Sequence, residues 1–136
     1  LRIDKLSLIA LEAVLELHLN KDYKELPLCA MAQLDPSHVK QRAEAWQSQL
    51  GPGLQGEVVA AESTMGGGSL PGETIASWAL ALQSPKLSSA ELHEWLRRRN
   101  PPIMGRIVQD RVLLDPRTVL DSQDESVLAI LRGGLK

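Results

Sequence analysis

The chain contains no phenylalanine, one cysteine and few aromatics of any kind. Three Trp and one Tyr are the only ones among its 136 residues, so aromatic content is 3%. A core without phenylalanine must be assembled from Leu, Val, Ile and Ala. The single Cys29 excludes an internal disulfide and reads as a small buried hydrophobe beside Leu28, Ala30 and Met31. No apolar run approaches the roughly 20 residues that span a bilayer. These absences point to a cytoplasmic protein. Neither sign of charge dominates: 15 basic and 17 acidic residues leave a net charge of -2. That balance argues against nucleic-acid binding by bulk charge, while leaving room for a local basic patch.

Motifs of several common chemistries are missing too. His18, His38 and His93 stand far apart without ligand-spaced partners, which excludes a recognisable metal signature. Neither a phosphate-binding P-loop nor a dinucleotide fingerprint occurs. Gly67-Gly68-Ser69 lacks the second glycine that a nucleophile elbow requires. What remains is a chain with 43% hydrophobic and 24% charged residues, suited to one globular domain.

Asp4 to Leu19 reads as a helix capped by Asp4. Leu6, Ile9, Ala10, Ala13 and Leu17 form one apolar stripe, and Leu8, Leu11, Leu15 and Leu19 form a second. A surface helix needs one stripe. Two imply burial on two sides, as in a helix wedged between domains or subunits. Residues 20–34 read as a linker. Asp35-Pro36 opens a second helix, which Gly51-Pro52-Gly53 stops. Glu57 to Ala61 and Thr74 to Leu82 read as strands, the second weakened by its alanines. Ser88 and Glu91 form a capping box for a helix to about Arg99. Pro101-Pro102 ends it, and Ile103–Val108 and Val112–Leu114 follow as a hairpin turned at Gln109-Asp110. A last helix, Ser122 to Leu131, is expected to start on a Ser122–Glu125 capping box and to close at Gly133-Gly134. The expected architecture is α/β in the α+β sense, with an antiparallel or mixed sheet carrying helices on one face.

Between the two strand-like runs lies Gly66-Gly67-Gly68-Ser69-Leu70-Pro71-Gly72-Glu73. Glycine permits positive φ and close backbone approach, and proline fixes the exit direction. The loop is either a connector or part of a site. Four groups of arginines carry the remaining chemistry. Arg2 precedes a helix start, where free N–H groups attract anions and a guanidinium can clamp phosphate. Arg106 sits inside a strand, facing either a site or solvent. Arg117 follows Pro116 and reads as a structural ion pair or a functional group. Arg97-Arg98-Arg99 is a solvated helix end or a weak RNA contact.

Three segments in order resemble a known family: Leu1-Arg2-Ile3-Asp4-Lys5-Leu6-Ser7-Leu8, the glycine loop, and Pro101-Pro102-Ile103-Met104-Gly105-Arg106-Ile107 with Arg111 to Val119. Together they resemble the C-terminal part of bacterial L-seryl-tRNA(Sec) selenium transferase, also called selenocysteine synthase. The resemblance implies a fold-type I pyridoxal-phosphate enzyme that converts seryl-tRNA(Sec) to selenocysteyl-tRNA(Sec) with selenophosphate. It implies a homo-oligomer, a decamer in the family, without metal or membrane. The lysine that carries the cofactor lies upstream of the segment matching Leu1–Leu8, so no catalytic residue is expected in this chain. Arg2 matches the second of two arginines that hold the selenium donor. Gly66, Gly67, Gly68, Ser69 and Arg106 are expected near the active site or a subunit interface. The match departs mildly at Asp115-Pro116-Arg117, where relatives often carry leucine before the arginine.

The chain starts at Leu1, without methionine, at the edge of a helix. It is therefore expected to be a fragment: residues 1–19 an interdomain helix, 20–34 a linker, and 35–136 the small C-terminal domain of a larger enzyme. The fragment alone is expected to be inactive. Two other readings stay open, a related lyase acting on a phosphorylated amino sugar or amino acid, and a non-catalytic RNA-binding or assembly module. A strand-end lysine upstream favours an enzyme, and a tRNA-binding N-terminal domain favours the transferase.

Overall fold

A computed structural model of the chain describes residues 3–64 and 74–135. The chain divides into two compact units, Leu1–Gln33 and Leu34–Lys136. Each is taken by itself.

The first unit begins with helix α1, Lys5–Leu19. Asp4 caps it: one carboxylate oxygen accepts from the Ser7 N–H at 2.9 Å and the other from the Ser7 hydroxyl at 2.6 Å. No residue of α1 is buried, and both apolar stripes are exposed apart from the half-buried Leu17, with Leu6 at 79% and Leu19 at 81%. The stretch expected as a linker carries structure of its own. A 3-10 turn covers Tyr23–Glu25 and helix α2 covers Pro27–Ala32. Pro27 starts α2 because its ring fixes a helical φ and its missing N–H is not needed there. Only six residues long, α2 offers too little periodicity to be read from sequence. Cys29, expected to be buried, is half-buried on it.

The second unit contains helices α3, Pro36–Gln47; α4, Ser89–Arg97; and α5, Asp124–Gly133. Its strands are β1, Gln55–Thr64; β2, Thr74–Gln83; β3, Arg106–Val108; and β4, Arg111–Leu114. They form one antiparallel sheet in the order β1-β2-β4-β3. The side-chain alternation of the strands sorts residues between its two faces. Leu80, Leu82, Val112 and Leu114 meet Trp46 of α3, Leu92 and Leu96 of α4, and Leu128 and Leu131 of α5 in the main core. The other face carries a small cluster of Ala79, Ala81 and Leu113. Two of the three alanines that weaken β2 as a strand, Ala79 and Ala81, are thus residues that keep this second face flat. β1 runs longer than its apolar run because all ten rungs with β2, Gln55↔Gln83 to Thr64↔Thr74, are formed.

Two boundaries differ from the sequence reading, and one turn is made without the expected glycine. β3 starts at Arg106 rather than Ile103. Ile103 instead enters the core, and its N–H donates to the Leu96 carbonyl at 3.1 Å, closing α4. The β3–β4 turn works without glycine: Gln109 and Asp110 take positive φ of 49° and 59°, the requirement of a type I′ hairpin. Ser89 Oγ donates to Asp110 at 2.6 Å and holds that turn. The capping box expected at Ser122 and Glu125 is absent. Residues Asp121–Gln123 form a 3-10 turn, α5 begins at Asp124 without a side-chain cap, and Glu125 pairs with Arg132 at 2.7 Å.

Arg42 explains that shifted start. It is 6% exposed on α3, yet its guanidinium makes four hydrogen bonds and a further ion pair. Nε donates to Asp124 Oδ2 at 2.9 Å and Nη2 to Asp124 Oδ1 at 2.6 Å, the bidentate geometry that favours arginine over lysine. Nη1 donates to the Pro116 carbonyl at 2.9 Å and pairs with the Asp121 carboxylate at 2.8 Å, and Nη2 also reaches the Val119 carbonyl at 2.9 Å. The turn at Asp121–Gln123 places both aspartates on one guanidinium. Arg42→Met is expected to destabilise the chain by about 3 kcal/mol, because one half of a buried pair is left alone. Arg42→Lys should recover part of that loss. Urea denaturation of the two variants measures both.

Ser88 and Glu91 form the expected capping box at α4. The Ser88 hydroxyl and then its backbone N–H hold the Glu91 carboxyl below its ordinary 4.5. The folded value is depressed, so this contribution is present above the unfolded value and fades as pH falls through the folded one. Carboxyl NMR titration should give Glu91 a midpoint under 4.5, and Ser88→Ala should raise it.

Candidate functional site

The site is built on the second face of the sheet. Arg106 pairs with Leu113 across the β3–β4 ladder, and Leu113 pairs with Ala81. This register puts the Arg106 side chain on the face of Ala79, Ala81 and Leu113, away from the helices. Its strand start is fixed tightly. A Cβ on Gly105 would lie 2.7 Å from Val112 Cγ1, 2.9 Å from Leu114 Cδ2 and 3.0 Å from the Leu113 carbonyl oxygen. His93 Nε2 on α4 stands 3.0 Å from the Gly105 carbonyl oxygen. The residue before Arg106 is thus pressed onto β4 and tied to a helix.

Arg106 is exposed, and its guanidinium has no hydrogen bond or ion pair among the described residues. The nearby Arg111 differs. Its Nη1 reaches Glu57 Oε2 at 3.0 Å, from β4 across β2 to β1. Together with Leu113, Ala61, Ser77 and Thr64, Arg106 lines an open depression of about 910 Å³. Among the described residues that line it, Arg106 is the one cation, over uncharged side chains that are mostly small apart from Trp78, Val108 and Leu113, with Glu62 the acidic residue on its rim. That arrangement suits an anionic ligand with some flat surface.

Arg117 is structural. It is 2% exposed; its Nε donates to Ser77 Oγ at 3.2 Å, Nη1 to the Leu34 carbonyl and Nη2 to the Ala76 carbonyl, both at 2.9 Å. Asp115 accepts from the Ser63 hydroxyl, from the Ser77 hydroxyl at 2.9 Å and from the Arg117 N–H at 2.9 Å. β4 pairs with β2 only at Leu80, Ala81 and Leu82. Beyond those rungs, the Asp115–Arg117 segment replaces a strand and clamps the outer β1–β2 ribbon. Sequence reasoning missed Asp115, Ser63 and Ser77, because their partners lie 38 and more residues apart. On the helix side, the two motif segments after residue 100 meet around a cavity of about 450 Å³, lined by Trp46, Pro102, Ile103, Leu114 and Thr118 among others.

The remaining candidates do not join Arg106. Arg97, Arg98 and Arg99 lie at the end of α4, which packs on the helix-bearing face. Arg98 pairs with Glu94 at 2.8 Å, and Arg99 donates to the Trp95 carbonyl and stacks 4.7 Å from the Trp95 ring centre. Arg97 is exposed. Arg2, Gly66, Gly67, Gly68 and Ser69 lie outside the described residues. Among the described residues, no group of His, Cys, Asp and Glu could hold a metal ion, and no helix is long and apolar enough to cross a membrane.

Gly105→Ala is expected to destabilise the second unit by about 1–3 kcal/mol through overpacking against Val112 and Leu114. Thermal unfolding measures the loss, and a stability equal to that of the parent would place Gly105 outside the tight packing.

The pattern of the family described as "SelA: L-seryl-tRNA selenium transferase" matches residues 1–120. The L-seryl-tRNA(Sec) selenium transferase of Wolinella succinogenes is 42% identical over 131 residues, covering 96% of this chain and 29% of the relative. The protein of that name from Aquifex aeolicus is 37% identical over 134 residues, covering 97% of this chain and 30% of its own length. That from Moorella thermoacetica is 38% identical, with 96% and 29% covered. The chain thus spans less than a third of the length of these relatives and matches a C-terminal part of them. The chain belongs to the L-seryl-tRNA selenium transferase family.

Proposed function

We propose that this chain is the C-terminal portion of an enzyme that converts L-seryl-tRNA(Sec) to L-selenocysteyl-tRNA(Sec) in the cytoplasm. One observation carries the reading: 42% identity over 96% of the chain to a relative named for that activity. In the proposed reaction the seryl β-hydroxyl departs as water, and a selenium nucleophile derived from selenophosphate forms the new Cβ–Se bond. Pyridoxal phosphate, when bound, supplies the electron sink for that exchange.

The residues of this chain do not fit the role of holding that cofactor. Lys5, Lys21, Lys24 and Lys86 are exposed, and Lys40 lies over the Trp78 ring at 4.5 Å and pairs with Glu44. Among the described residues, none is a buried lysine set in an apolar pocket, the environment a carbonyl-binding lysine needs. The cofactor lysine therefore belongs to the part of the enzyme outside residues 1–136, and the chain alone is inactive.

What this chain contributes is framework and binding. α1 exposes Leu6, Ile9, Leu15 and Leu19 together with Leu8 and Leu11. An apolar surface of that extent asks for a partner. In this reading α1 is the interdomain helix, packed against the cofactor domain, and residues 35–136 form the small domain of a homo-oligomer. Gly66, Gly67, Gly68 and Ser69 lie near the reacting centre or a neighbouring subunit. Arg97 is the free member of the basic run and the one available to RNA.

Arg2 precedes the Asp4 cap of α1 by two residues, and the reading assigns it to the phosphate-like part of the selenium donor. In the full-length enzyme, Arg2→Ala should remove a charge-assisted contact contributing about 1.5–3 kcal/mol. The donor-dependent rate should fall roughly 10- to 150-fold. Arg2→Lys should restore part of it, since lysine lacks the planar fork. Seryl-tRNA affinity should stay at the parent value. Steady-state kinetics with the donor varied at saturating seryl-tRNA test this. A full-length enzyme that forms no selenocysteyl-tRNA overturns the proposed function, whereas unchanged donor dependence in Arg2→Ala overturns the role of Arg2 alone.

A further inference from the structure

We propose that Arg106 binds the phosphodiester at the 3′ end of the aminoacyl-tRNA, with the terminal nucleotide lying in the depression beside it. The inference rests on the function proposed above and names the part of the substrate that this face receives.

Three observations carry it. First, Arg106 is the arginine of the second sheet face left free. Arg111 is paired with Glu57, and Arg117 is buried against Ser77, Leu34 and Ala76. An exposed guanidinium without a partner, held on a strand by a tightly packed glycine, is pre-organised for an anion at little entropic cost. Second, the depression it lines, about 910 Å³, is far larger than a phosphate-sized donor needs. Small side chains such as Ala61, Ala76 and Ser77, beside the larger Trp78, Val108 and Leu113, let a planar ring approach the sheet closely. Third, the chemistry of the substrate selects the anion. Serine esterified to tRNA has no free carboxylate, because that group forms the ester bond. The negative charge nearest the reacting serine on the tRNA side is the last phosphodiester. A fork-shaped cation is suited to that group.

The experiment uses the full-length enzyme with Arg106→Gln and Arg106→Lys. Arg106 is exposed and unpaired, so both variants should unfold at the parent temperature. Two tRNA probes are compared at several salt concentrations: seryl-tRNA(Sec), and the same tRNA lacking its terminal nucleotide and hence its last phosphodiester. With intact seryl-tRNA, Arg106→Gln should raise KM about 10-fold with kcat little changed. The slope of log affinity against log salt should become shallower by about 0.7, the value for one phosphate of a single strand. Arg106→Lys should keep the slope and recover part of the affinity. The shortened tRNA should bind the parent and Arg106→Gln equally. Equal weakening on both tRNAs would place Arg106 at another part of the RNA and overturn the assignment. So would an unchanged KM and salt slope, or a shift confined to the selenium donor. A parent enzyme that does not consume seryl-tRNA would instead overturn the underlying function, an outcome visible before any variant is made.

Discussion

A single buried guanidinium organises the second unit. Arg42 leaves α3 and enters a space where an unpaired charge would be costly, so the chain around it must supply acceptors. Pro116, Val119 and Asp124 accept its hydrogen bonds, and Asp121 adds an ion pair. Pro116, Val119 and Asp121 lie in the segment joining β4 to α5, which has little regular structure of its own, and Asp124 is the first residue of α5. The irregular run from Pro116 to Gln123 is thereby given a defined path, and α5 is delivered onto the core at Leu128 and Leu131. The interaction is short-ranged, directional and fully desolvated on one side. It fixes geometry more than it adds net energy, which is the usual balance for buried ion pairs.

The two faces of the sheet divide the work of the domain. Large residues on one face hold three helices. Alanine and serine on the other keep it shallow, and the Asp115–Arg117 clamp keeps the outer ribbon from splaying where β4 ends. Arg106 gains its position from both sides at once. Gly105 packs onto the helix-side residues Val112 and Leu114, while the next side chain emerges on the opposite face. Alternation along a strand makes this possible: one residue is a packing element and its neighbour is presented to a ligand.

Much of this was legible in the chain. Asp4, Asp35 and Ser88 announce three helix starts by local chemistry, and each caps the helix it precedes. Hydrophobic alternation located the strands, and the family motifs named the family. The failures share a cause. Ser122 and Glu125 satisfy a capping pattern, yet the demand of Arg42 for two aspartates overrides it from 82 residues away for Asp124. Arg117 reads ambiguously because the acceptors described for it, Ser77 and two carbonyls, lie 40 or more residues away in the chain. Arg106 could be recognised as a charge in a strand, but the face it occupies depends on register with Leu113, which sequence alone does not specify. α2 is too short for its period to rise above its surroundings.

Where the loop after α3 meets the end of α5, two backbones pass almost in contact. Gly51 N–H donates to the Leu131 carbonyl at 2.9 Å, and Leu135 N–H donates to the Pro52 carbonyl at 2.8 Å. At Gly134, with φ of 57°, a Cβ would lie 2.4 Å from the Pro52 carbonyl oxygen. Residues about 80 positions apart thus close the domain, and Leu135 itself is buried. During synthesis, a nascent chain can form α3 and the β1–β2 ribbon early. It cannot seal the core until residue 135 has cleared the ribosomal tunnel, because the partner of Pro52 is still unmade. Until then, Trp46 and the leucines around it remain exposed to other chains and to chaperones.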